Sequence, residues 1–125
     1  MLSKRITQLT SKDVTLKIDL SLLEITVGGD KSFMRELLDT IYQTLPLELE
    51  LLTVALEAND SEVSRKILHK IRPSIDYLGI PELSGQREEL HRRAESNESN
   101  ATLLTTFSSF KNQVTLALRQ LKAYL

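Results

Sequence analysis

Cysteine is absent from this chain, and so is tryptophan. The first absence removes disulfides, thiolate metal sites and cysteine nucleophiles together. It is ordinary for a protein of a reducing compartment, so the expected location is the cytoplasm. No apolar run approaches the about 18 residues that a membrane-spanning helix needs. The opening MLSKRITQLT is basic but has no apolar stretch of signal-peptide length behind it, so neither secretion nor membrane insertion is expected. Charge of one sign is also missing: 16 basic against 17 acidic residues leave a net charge of -1. No whole-molecule field draws this chain to nucleic acid or anionic lipid, and electrostatic partner choice has to be local. Glycine is scarce, with four residues, and no glycine-rich phosphate loop can be assembled from them. The two histidines stand in no His-Glu-x-x-His arrangement, so the ligand spacing of a zinc enzyme is absent and no resident metal or cofactor is expected.

What is present is an ordinary globular composition, 41% apolar and 26% charged over 125 residues, enough for one domain with one core. Residues 1 to 18 are rich in Ser, Thr and Lys, with only a short alternation at Val14, Leu16 and Ile18, and are expected to be a flexible or extended lead-in. Asp19 or Ser21 can cap a short helix from Leu20 to Val27, which Gly28-Gly29 stops. Asp30 can cap the next helix. From Lys31 to Leu45 the residues Phe33, Met34, Leu37, Leu38, Ile41 and Tyr42 recur at the helical period, and Pro46 then marks a kink or a new first turn. Leu47 to Ala58 continues with Leu49, Leu52 and Leu56 on one face and ends at the turn signal Asn59-Asp60.

A third helix is expected from Ser61 to about Leu78, ended by Gly79, with Pro81 opening the following one to about Ala94. The run SNESN, residues 96 to 100, is a loop. A last amphipathic helix from about Thr102 carries Leu103, Leu104, Phe107, Phe110, Val114, Leu118 and Leu121. No segment reads as a core strand. Four long helices, each apolar on one stripe, bury those stripes best as an antiparallel four-helix bundle, with the short first helix closing one end. Leu37, Leu38, Leu52, Ile67, Ile71, Leu78, Leu90 and Phe107 are the expected core.

On a helical wheel of about 100° per residue, Ile67, Ile71 and Leu78 lie within about 20° of the point opposite His69, which therefore faces solvent. Glu62, Arg65, Lys66, Arg72, Pro73 and Asp76 lie within about 60° of the histidine, while Val63, Leu68, Ser74 and Ile75 flank the buried side. Over this helix Arg65, Lys66, Lys70 and Arg72 stand against Glu62 and Asp76, a net of +2, so the remainder of the chain carries -3. The histidine is at the centre of a basic face suited to stabilising an anion on the ring and to attracting an acidic partner surface. The alternative is a solvated helix face with an incidental histidine. Pro73 removes the amide that would bond the carbonyl of His69, a defect costing about 3 kcal/mol in a helix interior, or else a harmless kink on an exposed face.

The run ILHKIRPSIDYLGIPEL, residues 67 to 83, resembles the motif of the histidine-containing phosphotransfer domains of two-component phosphorelays. That motif has an exposed histidine, a basic residue three positions on, a small residue four on, often serine five on, and then Leu-Gly. His69, Arg72, Pro73, Ser74 and Leu78-Gly79 occupy those places. Upstream, DLSLLEITVGGDKSFMRELLDTIYQTLPLELELLTVALEAND, residues 19 to 60, is similar to the family's opening helix, its Gly-Gly-Asp-x-x-Phe turn and its Pro-x-x-Leu continuation. The resemblance covers residues 19 to 95, with the last helix matched by pattern only, and assigns residues 19 to 125 to one phosphotransfer domain. Two departures stand out. The basic residue is more often lysine, whereas Arg72 is a planar fork; the small residue is more often glycine, whereas Pro73 alters the local backbone and the docking geometry.

The resemblance implies a phosphocarrier rather than an enzyme. His69 accepts a phosphoryl group from the phosphoaspartate of a response-regulator receiver domain and passes it to another, with Mg²⁺ supplied by the receiver. Arg72 and, less directly, Lys70 balance the charge of the phosphorylated form; Ser74 serves either the ring or the backbone, the structural role being favoured. Arg65, Lys66, Pro73 and Asp76 are the expected partner-contact residues, and the implied partners are receiver domains and a hybrid sensor histidine kinase, met by a monomer. His91 falls at a similar height to His69 on the next helix, where related domains often place a glutamate or glutamine that orients the ring; it either takes that role or points to water. The rival readings are a helical interaction module that carries no phosphate and a nucleic-acid contact through the basic helix. Against the second stand the acidic remainder of the chain and the lack of aromatic interleaving.

Overall fold

The computed structural model describes residues 16–96, 98 and 100–125, of Asn100 the backbone only. Val14, and Asn97 and Ser99 of the expected loop, lie outside the described residues. Among the described residues the chain is helical and contains no strand. Its elements are α1 (Ser21–Thr26), α2 (Lys31–Glu57), α3 (Ser61–Lys70), α4 (Arg72–Tyr77), α5 (Pro81–Glu95) and α6 (Asn100–Leu121), followed by a 3₁₀ turn, Lys122–Tyr124. None of these helices is long and apolar enough to cross a membrane.

Most boundaries have a local cause. The carboxylate of Asp30 accepts from the amide of Phe33 at 3.0 Å, and that of Asp60 from Val63 at 3.1 Å, each satisfying an amide that a helix N-terminus leaves without a partner. Asp19 accepts from both the amide (3.0 Å) and the hydroxyl of Ser21, bonds that hold its carboxyl below the usual carboxylate range. Asn59, at φ 56°, ends α2 in the left-handed conformation, and Gly28, Gly29 and Gly79 do the same after α1 and α4.

Two expectations need correction. Pro46 does not start a new helix: α2 runs 27 residues through it. The missing amide of Pro46 leaves the carbonyl of Tyr42 without its helical donor, but the helix is held on both sides of the defect. Leu38, Ile41 and Leu45 are buried before it, and Leu49, Leu52, Ala55 and Leu56 after it. Each large apolar side chain contributes about 1.5–3 kcal/mol on burial, so together they outweigh the about 3 kcal/mol of an internal proline. The helix expected from Ser61 to Leu78 is instead broken at Ile71, whose ψ of -4° leaves the α-helical range. Pro73 then sits in the first turn of α4, where its missing amide has no helical partner to lose.

Helix α2 packs against α3 and α6, and α5 packs against the same two, so these four close a ring of contacts; α4 lies on α5 and α1 on α2. The core gathers Leu38, Leu52, Ile67, Ile71, Leu78, Leu90, Phe107 and Phe110 along with the α2 residues above. Leu37, expected inside, is only half-buried at the core margin. Of the expected lead-in, residues 1 to 15 lie outside the described residues, and residues 16 to 18 are neither helix nor strand. The side-chain amide of Gln120 donates to the carbonyl of Leu16 at 2.6 Å and accepts from the amide of Ile18 at 3.0 Å, so residues 16 to 18 are tied to the far end of α6.

Candidate site around His69

His69 lies in the last turn of α3, two residues before the break at Ile71, with its side chain exposed. Its ring makes no hydrogen bond among the described residues, and its backbone carbonyl accepts from a backbone amide at the C-terminal cap of the helix. The buried arc of α3 and α4 is not symmetric about the histidine. Leu68 and Ile75, expected at the flank, are fully buried toward α5 along with Ser64, while Val63 on the opposite flank is 40% exposed. Turning the helices toward α5 opens a shallow groove on the α2 side, lined by Leu51, Val54, Ala55, Ala58, Val63 and Ile67 and edged by Lys66 and Lys70. Leu51 and Val54 are more than half exposed there.

The basic face is less bare than the single helix implied. Lys66 pairs with Glu62 at 3.3 Å and Arg72 with Asp76 at 3.7 Å, both within their own stretch. Lys70 reaches across to Glu48 of α2 at 3.0 Å. Counting Glu48 with Glu62 and Asp76 against Arg65, Lys66, Lys70 and Arg72 leaves +1 where the one-helix count was +2. The cause is an acidic side chain brought in by a neighbouring helix, which no helical wheel of α3 contains. The four cations are on the exposed side of these pairs or half-buried, Glu48 alone among the carboxylates being largely covered, and the exposed pairs contribute about 0–1 kcal/mol each, so Lys66 and Arg72 exchange partners readily. Arg65 is half-buried and donates to the carbonyl of Ser61 at 3.4 Å.

Asp76, expected as a partner contact, has both oxygens engaged within the chain: one toward Arg72, the other accepting from the hydroxyl of Ser84 at 2.8 Å. It ties α4 to α5. Pro73 is exposed beside His69 as expected. Ser74 is half-buried, and its hydroxyl makes no hydrogen bond among the described residues. His91 turns its Nδ1 toward Glu95, one turn along its own helix, at 3.3 Å, and about a quarter of its side chain is exposed. That contact is to α5, not to His69.

The residue that α5 does send to the histidine's neighbourhood was missed by sequence reasoning. Arg87 is buried, and its Nη1 donates to the carbonyl of Leu68, the peptide preceding His69, at 3.1 Å. A signal existed: the apolar stripe Leu83, Leu90, Ala94 skips one turn, and position 87 fills the gap. Among the described residues no group of three or more His, Asp or Glu side chains is placed to hold a metal ion. The chain matches no family model, no curated protein and no solved structure.

Proposed function

We propose that this chain is a histidine phosphotransfer domain that takes a phosphoryl group from the aspartyl phosphate of one receiver domain and gives it to another. The observation that carries the reading is the placement of His69: an exposed imidazole in the last turn of an amphipathic helix, beside the break at Ile71 and within one turn of Lys66, Lys70 and Arg72. A neutral ring nitrogen forms the P–N bond as the P–O bond to the aspartyl carboxylate breaks, and the carboxylate leaves free; the return step reverses this on a second receiver. Lys70 and Arg72 exchange Glu48 and Asp76 for the oxygens of the bound phosphoryl group, forming charge-assisted hydrogen bonds. Mg²⁺ belongs to the receiver's acidic pocket. The same reading makes the domain a cytoplasmic monomer fed by a hybrid sensor kinase. It also makes the ring of α2, α3, α5 and α6 contacts an antiparallel four-helix bundle.

A receiver labelled with ³²P on its aspartate should transfer label to this chain, giving an acid-labile product, and His69→Gln should take none. Undiminished labelling of that variant refutes the assignment. A second reading has an observation of its own. The exposed Leu51, Val54 and Val63 beside Lys66 suit a protein partner whether or not phosphate moves, which is the helical interaction module without phosphotransfer. Binding of receiver domains with no label transferred in either direction selects that module.

A further inference from the structure

Arg87 occupies a position on α5 that an apolar residue would fill more cheaply. It is 3% exposed, between Leu83 and Leu90 on the face that packs against α3. Taking a guanidinium out of water costs several kcal/mol unless its donors are met, and here they are met only in part. Nη1 donates to the Leu68 carbonyl at 3.1 Å, Nη2 pairs with the exposed carboxylate of Glu88, and the buried Nε has no partner among the described residues. The bond that is made falls at a weak place. The last carbonyls of a helix lack intrahelical donors, and Leu68 is in the last turn of α3, just ahead of the break at Ile71. Its carbonyl belongs to the peptide that also carries the amide of His69.

We propose that Arg87 is a positioning residue for His69. From α5 it clamps the Leu68–His69 peptide at the helix break, so that the imidazole is presented from a fixed backbone and not from a fraying helix end. This rests on the phosphotransfer reading above. The planar fork suits the task, because Glu88 fixes one arm and thereby aims the other; a lysine ammonium on a flexible stem has no second arm to be held by. Holding a nucleophile in line matters steeply, since a displacement of about 1 Å costs about 100-fold in rate.

The test compares wild type, Arg87→Met and Arg87→Lys in the full chain. Single-turnover label transfer from a ³²P-phosphorylated receiver is followed against receiver concentration, together with amide hydrogen exchange at His69, Lys70 and Ile71. For Arg87→Met the maximal transfer rate should fall about 10- to 100-fold with the half-saturating receiver concentration unchanged, and exchange at the three amides should speed up. Arg87→Lys, which keeps the buried charge, should fold and still transfer more slowly than wild type, so the proposal is read from it should Arg87→Met fail to fold. A wild-type maximal rate in a folded variant, or an effect confined to the half-saturating concentration, overturns the role of Arg87 alone. A wild-type chain that takes no label overturns the phosphotransfer reading, and any part of Arg87 in transfer with it.

Discussion

Gly79 meets two requirements at once, and a single methyl group would break both. Its φ is +69°, and a Cβ there would lie 1.9 Å from the carbonyl oxygen of Asp19. The backbone of Asp19 comes this close because its amide bonds the carbonyl of Leu78 at 2.9 Å, which seats the start of the fold on the end of α4. Gly79→Ala should therefore destabilise by more than the about 1–3 kcal/mol of an unfavourable backbone conformation alone, read as a lower denaturation midpoint in urea. The stop at Gly79 was legible in the sequence; the close approach of Asp19 was not, because it joins segments 60 residues apart. His69 and Arg87 divide in the same way. Exposure of His69 follows from the period of its own helix. The contact of Arg87 with Leu68 depends on how α5 is rotated against α3, of which the skipped turn in the Leu83–Leu90–Ala94 stripe was the only trace.

Prolines show how far local rules reach at the scale of the element. Pro46 and Pro73 both fall in stretches of helical period, yet the helix continues through one and breaks ahead of the other. The difference lies in the surroundings. Buried leucines brace α2 on both sides of Pro46, whereas α4 extends only six residues beyond the break at Ile71 and carries one buried residue, Ile75. Because the α2 ladder has a gap at Tyr42, Pro46→Ala should stabilise by about 1–3 kcal/mol, the recovered helix preference less the added freedom of the unfolded chain. A thermal midpoint that is unchanged or lower would mean that water or a side chain already satisfies that carbonyl. The helical period found the stretches that are helical, and residue type found the cap at Asp30 and the helix start at Pro81. It did not reveal whether a proline interrupts, since tertiary burial decides that, nor that Asn100 rather than Thr102 begins α6.

Across the whole molecule the charges are nearly balanced, and what distinguishes one side is the combination of the apolar α2–α3 groove with the cations at its edge. Arg65→Glu with Lys66→Glu should slow association with a receiver about 3- to 10-fold at low salt and flatten its salt dependence, while leaving the transfer step in the complex intact. Unchanged association kinetics would remove this edge from the interface. One side chain ties the first described residues to the end of α6. Gln120 bonds Leu16 and Ile18, residues 104 and 102 positions away, whereas α2 with α3 and α5 with α6 pair across short connections. Loop-closure entropy makes so distant a contact a late event in folding, formed after the nearby helix pairs have found one another. Its loss should then be felt almost entirely on the way out: in a stopped-flow chevron, Gln120→Ala should unfold about 5- to 30-fold faster, the equivalent of one or two kcal/mol, and refold at the wild-type rate. That outcome would make the amide at the far end of α6 a determinant of how long the native state lasts and not of the order in which it assembles.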